Sequence, residues 1–260
     1  ADPVRQEAGH KLLIRIFGPK EGGLGGELLL SVIIPVYNEV DTIGKVLEKV
    51  KATSVPKEII IVDDGSTDGS RELLEELKDS DVKVIYHNRN RGKGAAIRTA
   101  LNYVEGDYVL IQDADLEYDP EEYPKLIAPI LQENPAVVVF GSRFLGHVEN
   151  MKFRYYIANR LLTFIANILY GSSITDLCTG FKLYKTSLIR SIPLERNGFD
   201  LEHELTAKLL RRRLPIVEVP ISYRGRDVRS GKKVRLRDFF LDIYTLVRYR
   251  LCPGKKRSWF

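Results

Sequence analysis

From residue 28 onward the chain alternates between two kinds of segment. Short apolar runs at 29–36, 58–62, 82–86, 108–112 and 136–140 read as strands buried on both faces. Between them, 41–51, 68–78, 93–104 and 120–132 space their apolar residues three and four apart. That spacing belongs to a helix with one face on a sheet, and Asp41 is expected to cap the first of them. Strand and helix in turn predict an α/β fold, a mostly parallel sheet with helices on both faces.

After residue 150 the texture changes. A long helix is expected over 151–170, a strand at 181–184, a helix over 201–213, a strand at 216–223 and an amphipathic helix over 236–250. In the first of these, Phe153, Ile157, Leu161, Phe164, Ile165 and Ile168 share a stripe; in the last, Phe239, Phe240, Ile243, Leu246 and Val247 do. Residues 1–27 stand outside the alternation, with a basic apolar run at 11–17 and a Gly-rich hinge at 22–26. The expected division is an N-terminal segment 1–27, a first half 28–150, a second half 151–250 with helices at 151–170 and 236–250, and a basic tail 251–260.

Composition adds one thing. A net charge of +5 over 260 residues hides a split: 1–150 carry 17 basic and 26 acidic side chains, 151–260 carry 23 and 9. The halves are therefore at −9 and +14, and the basic half is expected to meet anions. Two cysteines exclude a disulfide scaffold and suit a reducing compartment. The longest charge-free run of interest, 161–175, falls short of the ~20 apolar residues a span needs. No apolar core opens the chain, so neither a leader nor an anchor is expected, only a soluble or peripheral protein.

In an open α/β sheet, ligands bind beyond the carboxyl ends of the strands. The segments there are 35–39 (PVYNE), 63–70 (DDGSTDGS), 113–117 (DADLE) and 141–143 (GSR). Three acidic clusters thus converge on one edge, and a divalent cation resolves their mutual repulsion. Asp113 and Asp115, two apart, are expected to point the same way on an extended segment, and oxygen ligands suit Mg²⁺ or Mn²⁺. The histidines (His10, His87, His147, His203) lack zinc-site spacing. Gly92-Lys93-Gly94 opens a helix whose N–H groups either face a phosphate or simply start a helix.

The segments VIIPVYNE (32–39), VDDGS (62–66), GKGA (92–95) and DADL (113–116) together resemble the GT-A domain of family-2 glycosyltransferases over roughly residues 29–145. GSRF (141–144), DLCTGFKL (176–183), FDLE (199–202) and EVPI (218–221) are similar to the dolichyl- and polyprenyl-phosphate sugar synthases, the dolichol-phosphate mannose synthase group. The resemblance implies a Rossmann-like GT-A fold. It implies a nucleotide site at Pro35, Tyr37, Glu39, Asp63, Asp64, Lys93, Asp113 and Ala114, with metal on Asp113 and Asp115. Glu117 stands where some members place a Gln ligand.

The implied reaction is inverting transfer of a hexose from a nucleotide-sugar, GDP-mannose favoured over UDP-glucose or a related UDP-hexose, to a polyprenyl or dolichyl phosphate. Asp115, Arg143 and Asp176 are the catalytic candidates. A lipid phosphate is already anionic and needs cations rather than a base. Arg143, Arg224, Lys232 and Lys233 are the acceptor-phosphate candidates, with Arg226 and Arg229 nearby in the same basic stretch. Asp176 either orients a loop or acts as base in an enzyme with a saccharide hydroxyl acceptor. The helices at 151–170 and 236–250 are expected at the cytoplasmic membrane surface, with a membrane-protein partner left open. A nucleic-acid partner is not expected, because it leaves the converging carboxylates unexplained.

Overall fold

The computed structural model describes residues 28–226 and 236–252. The hinge at 22–26, the tail past 252, and Arg229, Lys232 and Lys233 lie outside the described residues. Seven strands form one sheet: β1 (Leu30–Val36), β2 (Lys57–Asp63), β3 (Val82–Tyr86), β4 (Tyr108–Ile111), β5 (Val138–Glu149), β6 (Lys182–Lys185) and β7 (Val217–Arg224). Their order is β3-β2-β1-β4-β6-β5-β7. The pairs β1–β2, β1–β4, β2–β3 and β5–β7 are parallel. Only β6 runs against its neighbours, β4 and β5. The mostly parallel sheet is therefore present, with strands from both halves of the chain.

Around it lie α1 (Ile43–Ala52), α2 (Ser70–Leu77), α3 (Lys93–Ala100), α4 (Tyr123–Ile127), α5 (Phe153–Tyr170), α6 (Thr186–Ser191), α7 (Leu201–Arg211) and α8 (Leu236–Leu251). Side chains of β1 alternate between two cores. Val32, Ile34 and Val36 join Ile43, Leu47 and Val50 of α1, while Ile33 joins Ile97 of α3 and Leu201 and Leu205 of α7. Cover on both faces is why this strand reads as an apolar run.

Four expectations are corrected. Asp41 is exposed and outside α1, whose N-cap position is Thr42. Glu39 starts that helix instead: its carbonyl accepts the Thr42 and Ile43 N–H groups at 3.1 and 2.9 Å. The helix expected over 120–132 breaks into 3₁₀ turns at Pro120–Glu122 and Ala128–Leu131 flanking α4, each piece having a proline in its first two positions. β5 continues to Glu149, so Arg143 lies within the strand, next to a register shift against β7 between Ser142 and His147.

The fourth concerns the apolar stripe of α8, which divides where that of α5 does not. Leu162, Thr163 and Ala166 of α5 face the core. The stripe expected there mostly faces outward: Phe153 is 77 % exposed and Ile168 66 %, with Ile157, Leu161 and Phe164 also exposed. The stripe of α8 divides. Leu246 is buried beside Tyr249, Asp242 and Thr245, whereas Phe240 is 62 % exposed, and Leu241, Tyr244 and Leu251 are exposed too. Polar partners on α7 turn the helix this way: Thr245 donates to Asp200 at 3.2 Å, and Asp242 lies 3.1 Å from His203 Nδ1. Helices α5, α7 and α8 close a third core around Leu162, Ala207, Leu210 and Leu246.

Candidate functional site

β1 sits where the strand order reverses. The chain leaves it toward β2 and β3 on one side and returns to β4 on the other. The loops after β1 and β4 therefore open into a shared crevice at the carboxyl edge. Pro35 is buried within β1, and Tyr37, Asn38 and Glu39 follow it. Asn38 takes φ 51°, a conformation Asn tolerates. Its N–H donates to Ser66 Oγ and its Oδ1 accepts from the Thr67 N–H, at 2.9 and 2.8 Å, which locks the loop after β1 onto the loop after β2.

The two carboxylates of that second loop are committed within the protein. Asp63 is fully buried and accepts from Arg71 Nε and Nη2 at 3.0 and 2.9 Å. Asp64 contacts His87 Nδ1 at 2.6 Å and accepts from the Arg91 and Gly92 N–H groups at 2.9 and 2.7 Å. Asp64 thus shapes the turn that launches α3. Gly92 has φ 98°, and a Cβ on it would lie 2.3 Å from the Asn197 carbonyl oxygen. The Ala95 N–H already donates to that oxygen. The N–H groups of Arg91, Gly92 and Ala95 are therefore spent on protein partners, and the glycines allow close packing on Asn197 and Leu201.

Lys93 reaches from α3 to the end of β4. Its ammonium lies 2.5 Å from Asp113 and 2.6 Å from Glu202, and Lys182 lies 3.1 Å from the other Glu202 oxygen. Burial alone would raise the Glu202 carboxyl; the Lys93 and Lys182 charges outweigh it and bring it down to about 2. Lys93 in turn is held charged by Asp113 and Glu202 against its own burial. A Cβ at Gly180 would come 2.6 Å from Asp113 Oδ2, so only glycine lets this carboxylate lie against the backbone there.

Asp113 and Asp115 stand in the turn beyond β4, not in the strand, so period-two alternation does not align them. They meet different cations: Asp113 faces Lys93, and Asp115 lies 2.5 Å from Arg226 Nη2. Arg226 Nη1 donates to Glu39 at 3.0 Å and its N–H to Glu117 Oε1 at 3.0 Å. Tyr223 donates to Glu117 Oε2 at 2.8 Å. Ala114 is buried, and its carbonyl accepts from Thr42 Oγ1 at 2.9 Å. Burial, with Asp113 and Glu117 adding to it, pushes the Asp115 carboxyl up to about 7 despite Arg226.

Arg143 is only 4 % exposed and Asp176 is fully buried. Arg143 Nε and Nη2 donate to the two Asp176 oxygens at 2.7 and 2.8 Å, and the Arg143 N–H adds a third bond at 3.0 Å. Its guanidinium lies 5.2 Å from the Tyr223 ring centroid. Beyond it, Phe144 packs edge-on against Tyr156 of α5 at 5.4 Å and lies under Arg160. One line of contacts thus runs from Glu117 through Tyr223, Arg143 and Phe144 to α5. Arg224 is instead exposed and paired with Glu149 at 2.9 Å. Glu202, Lys182, Tyr223 and Arg226 are site residues beyond the sequence-based set; for Lys182, a lysine inside an apolar segment is the sequence signal.

Among the described residues no three His, Cys, Asp or Glu side chains converge in a metal-holding cage. A divalent ion fits on other grounds. Glu39, Asp113, Asp115, Glu117 and Glu202 lie together, and protein cations, Lys93 and Arg226, already stand between carboxylates there. Mg²⁺ and Mn²⁺ take one or two protein carboxylates and complete their shells from phosphate and water.

Residues 31–192 match the family described as glycosyl transferase family 2. The chain belongs to this family. It is 29 % identical over 231 residues to a dolichol-phosphate mannosyltransferase from Pyrococcus furiosus, covering 85 % of this chain and 64 % of that protein. It is 29 % identical over 219 residues to a polyprenol monophosphomannose synthase from Mycolicibacterium smegmatis, covering 78 % and 82 %. The chain spans 54 % to 64 % of the length of several of the curated relatives it matches, the Pyrococcus furiosus protein among them. In fold it resembles glucosyl-3-phosphoglycerate synthase from Mycobacterium tuberculosis, crystallised with Mn²⁺, UDP and glucosyl-3-phosphoglycerate, with TM-score 0.67 and 20 % identity over 88 % of this chain and 82 % of that one. The fold is GT-A.

Proposed function

We propose that this family-2 member transfers a hexose, with inversion, from a nucleotide-sugar to a polyprenyl or dolichyl phosphate at a membrane surface. One observation carries the reading. Glu39, Asp113, Asp115 and Glu117 gather at the reversal point of the sheet, where Lys93 and Arg226 stand against them. Such a site suits a nucleoside diphosphate brought in with a divalent ion. Held by Asp113 and Asp115, an Mg²⁺ or Mn²⁺ ion would supply neutralisation of the departing diphosphate. Pro35, Tyr37 and Glu39 are assigned to the nucleotide, and Lys93 to aiming Asp113. Asp63 and Asp64 shape the donor crevice through Arg71 and the turn before α3.

The acceptor side is assigned to Arg143 and to the basic segment after β7. A phosphate monoester needs positive charge and no base, and no free carboxylate is required of Asp176, which is engaged with Arg143. The outward apolar residues of α5 and α8, flanked by Arg154, Arg160, Arg237 and Arg248, support a peripheral lipid contact. No described helix is long and apolar enough to cross a membrane. The names of two relatives, a dolichol-phosphate mannosyltransferase and a polyprenol monophosphomannose synthase, favour mannose as the transferred sugar.

The test pairs GDP-mannose or UDP-glucose, with Mn²⁺, against dolichyl phosphate and a soluble saccharide. The expected product is a lipid-linked sugar phosphodiester that needs Mn²⁺ or Mg²⁺. Glycosylation of the saccharide alone refutes the lipid acceptor. Failure of every nucleoside diphosphate to raise Tm with Mn²⁺ refutes the transferase reading.

A further inference from the structure

Arg226 occupies the space between carboxylates that a metal would claim. Its Nη2 lies 2.5 Å from Asp115 Oδ2 and 3.4 Å from Glu39 Oε1; Nη1 lies 3.0 Å from Glu39 Oε2. Its Nε is buried without an acceptor. The charge-assisted bonds to Glu39 and Asp115 hold the guanidinium although one buried N–H goes unmatched, which costs free energy. The Arg226 backbone N–H also donates to Glu117 Oε1, and the preceding Arg224 N–H donates to the Glu117 carbonyl at 3.1 Å. Glu117 therefore pins the end of β7 so that the Arg226 side chain falls onto Asp115.

The charges point the same way. Among the described residues, the carboxylates Glu39, Asp113, Asp115, Glu117 and Glu202 face the cations Lys93, Lys182 and Arg226. Lys182 is anchored on Glu202 and Lys93 is shared between Glu202 and Asp113, whereas both side-chain partners of Arg226, Glu39 and Asp115, belong to the crevice. A divalent ion on Asp115 and the Arg226 guanidinium would share one carboxylate as like charges a few ångströms apart, a strongly unfavourable arrangement at interior dielectric.

We propose that Arg226 is the resident counter-cation of the Asp115 site and competes with the divalent ion for it. In the metal-free protein it keeps the buried Asp115 compensated and ties the end of β7 to the crevice; entry of the ion requires the guanidinium to leave Asp115. This rests on the transferase reading only in that the reading brings a divalent ion to Asp115.

Mn²⁺ binding to the full chain, followed by electron paramagnetic resonance of free Mn²⁺ without nucleotide, tests it. Arg226→Gln is expected to bind Mn²⁺ at least about tenfold more tightly than the wild type, and Arg226→Lys, which keeps the charge, to stay near wild type. Adding Asp113→Asn to Arg226→Gln is expected to abolish the gain, which locates it at this site. Circular dichroism checks the fold, and if Arg226→Gln does not fold, Arg226→Met is read in its place. Equal or weaker Mn²⁺ binding by the neutral variant overturns the proposal, as does a gain that survives Asp113→Asn. A repeat with GDP and UDP separates the two readings. If nucleotide recruits Mn²⁺ to wild type while the variant shows no gain, only the role of Arg226 falls. If neither protein binds Mn²⁺ with either nucleotide, both readings fall.

Discussion

Replacing Asp176 with Asn removes the charge from a carboxylate that accepts three bonds from Arg143, two from the guanidinium and one from the backbone. Asn keeps the volume and one acceptor but turns an NH₂ group toward donors. Both partners are buried, so solvent does little to screen the loss. Removing one member of such a pair costs about 3–5 kcal/mol, because the remaining charge is left uncompensated. For 260 residues, an unfolding entropy of about 2 cal/mol/K per residue amounts to roughly 0.5 kcal/mol/K. Tm should therefore fall by about 6–10 °C. Thermal and urea unfolding followed by circular dichroism measure this. Arg143→Met combined with Asp176→Asn should cost less than the separate losses added, by at least about 2 kcal/mol. A Tm change under about 2 °C, with the two losses additive, refutes the paired role. If that stable variant has also lost all transfer activity, Asp176 is acting as a base and the acceptor is a hydroxyl.

Asp113→Asn leaves Lys93 with Glu202 alone and should weaken Mn²⁺-dependent nucleoside diphosphate binding at least about a hundredfold by calorimetry, with little effect in chelator. Burial, reinforced by Asp200, Asp238 and Glu202, pushes Asp242 up to about 8, while burial and the Lys182 charge push His203 down to about 3, so the two meet as neutral groups near pH 6. The folded state then holds a proton on Asp242 that the unfolded chain gives up near pH 4, and stability from this group is lost as pH rises from about 4 through 8. Asp242→Asn should remove that loss, so its urea midpoint should fall less than wild type between pH 5 and 8, by a margin worth at least about 1 kcal/mol; parallel profiles refute the assignment. Phe164→Asp, on the outward face of α5, should leave Tm within about 2 °C and cut binding to anionic vesicles at least about tenfold in a sedimentation assay, since an inserted Phe side chain contributes about 2 kcal/mol.

Apolar runs flanked by amphipathic segments determined the α/β class, because strands covered on both faces must be apolar throughout and helices on a sheet need one apolar face. Glu39 and the Asp113–Glu117 turn were legible as site candidates for the same local reason: they follow strands directly, and ligands collect beyond strand ends. What each carboxylate does was not legible. Arg71, eight positions along, claims Asp63; Lys93 claims Asp113; Arg226, more than a hundred positions away, claims Asp115. Such long-range pairings depend on which loops the sheet order brings together, and no local pattern encodes that order. The same holds for α5. Its sequence sets out a stripe from Phe153 to Ile168, but periodicity shows only that apolar residues share a face, not which way the face turns. Packing of α7 and α8 on Leu162, Thr163 and Ala166 decided that, and left the stripe to the outside.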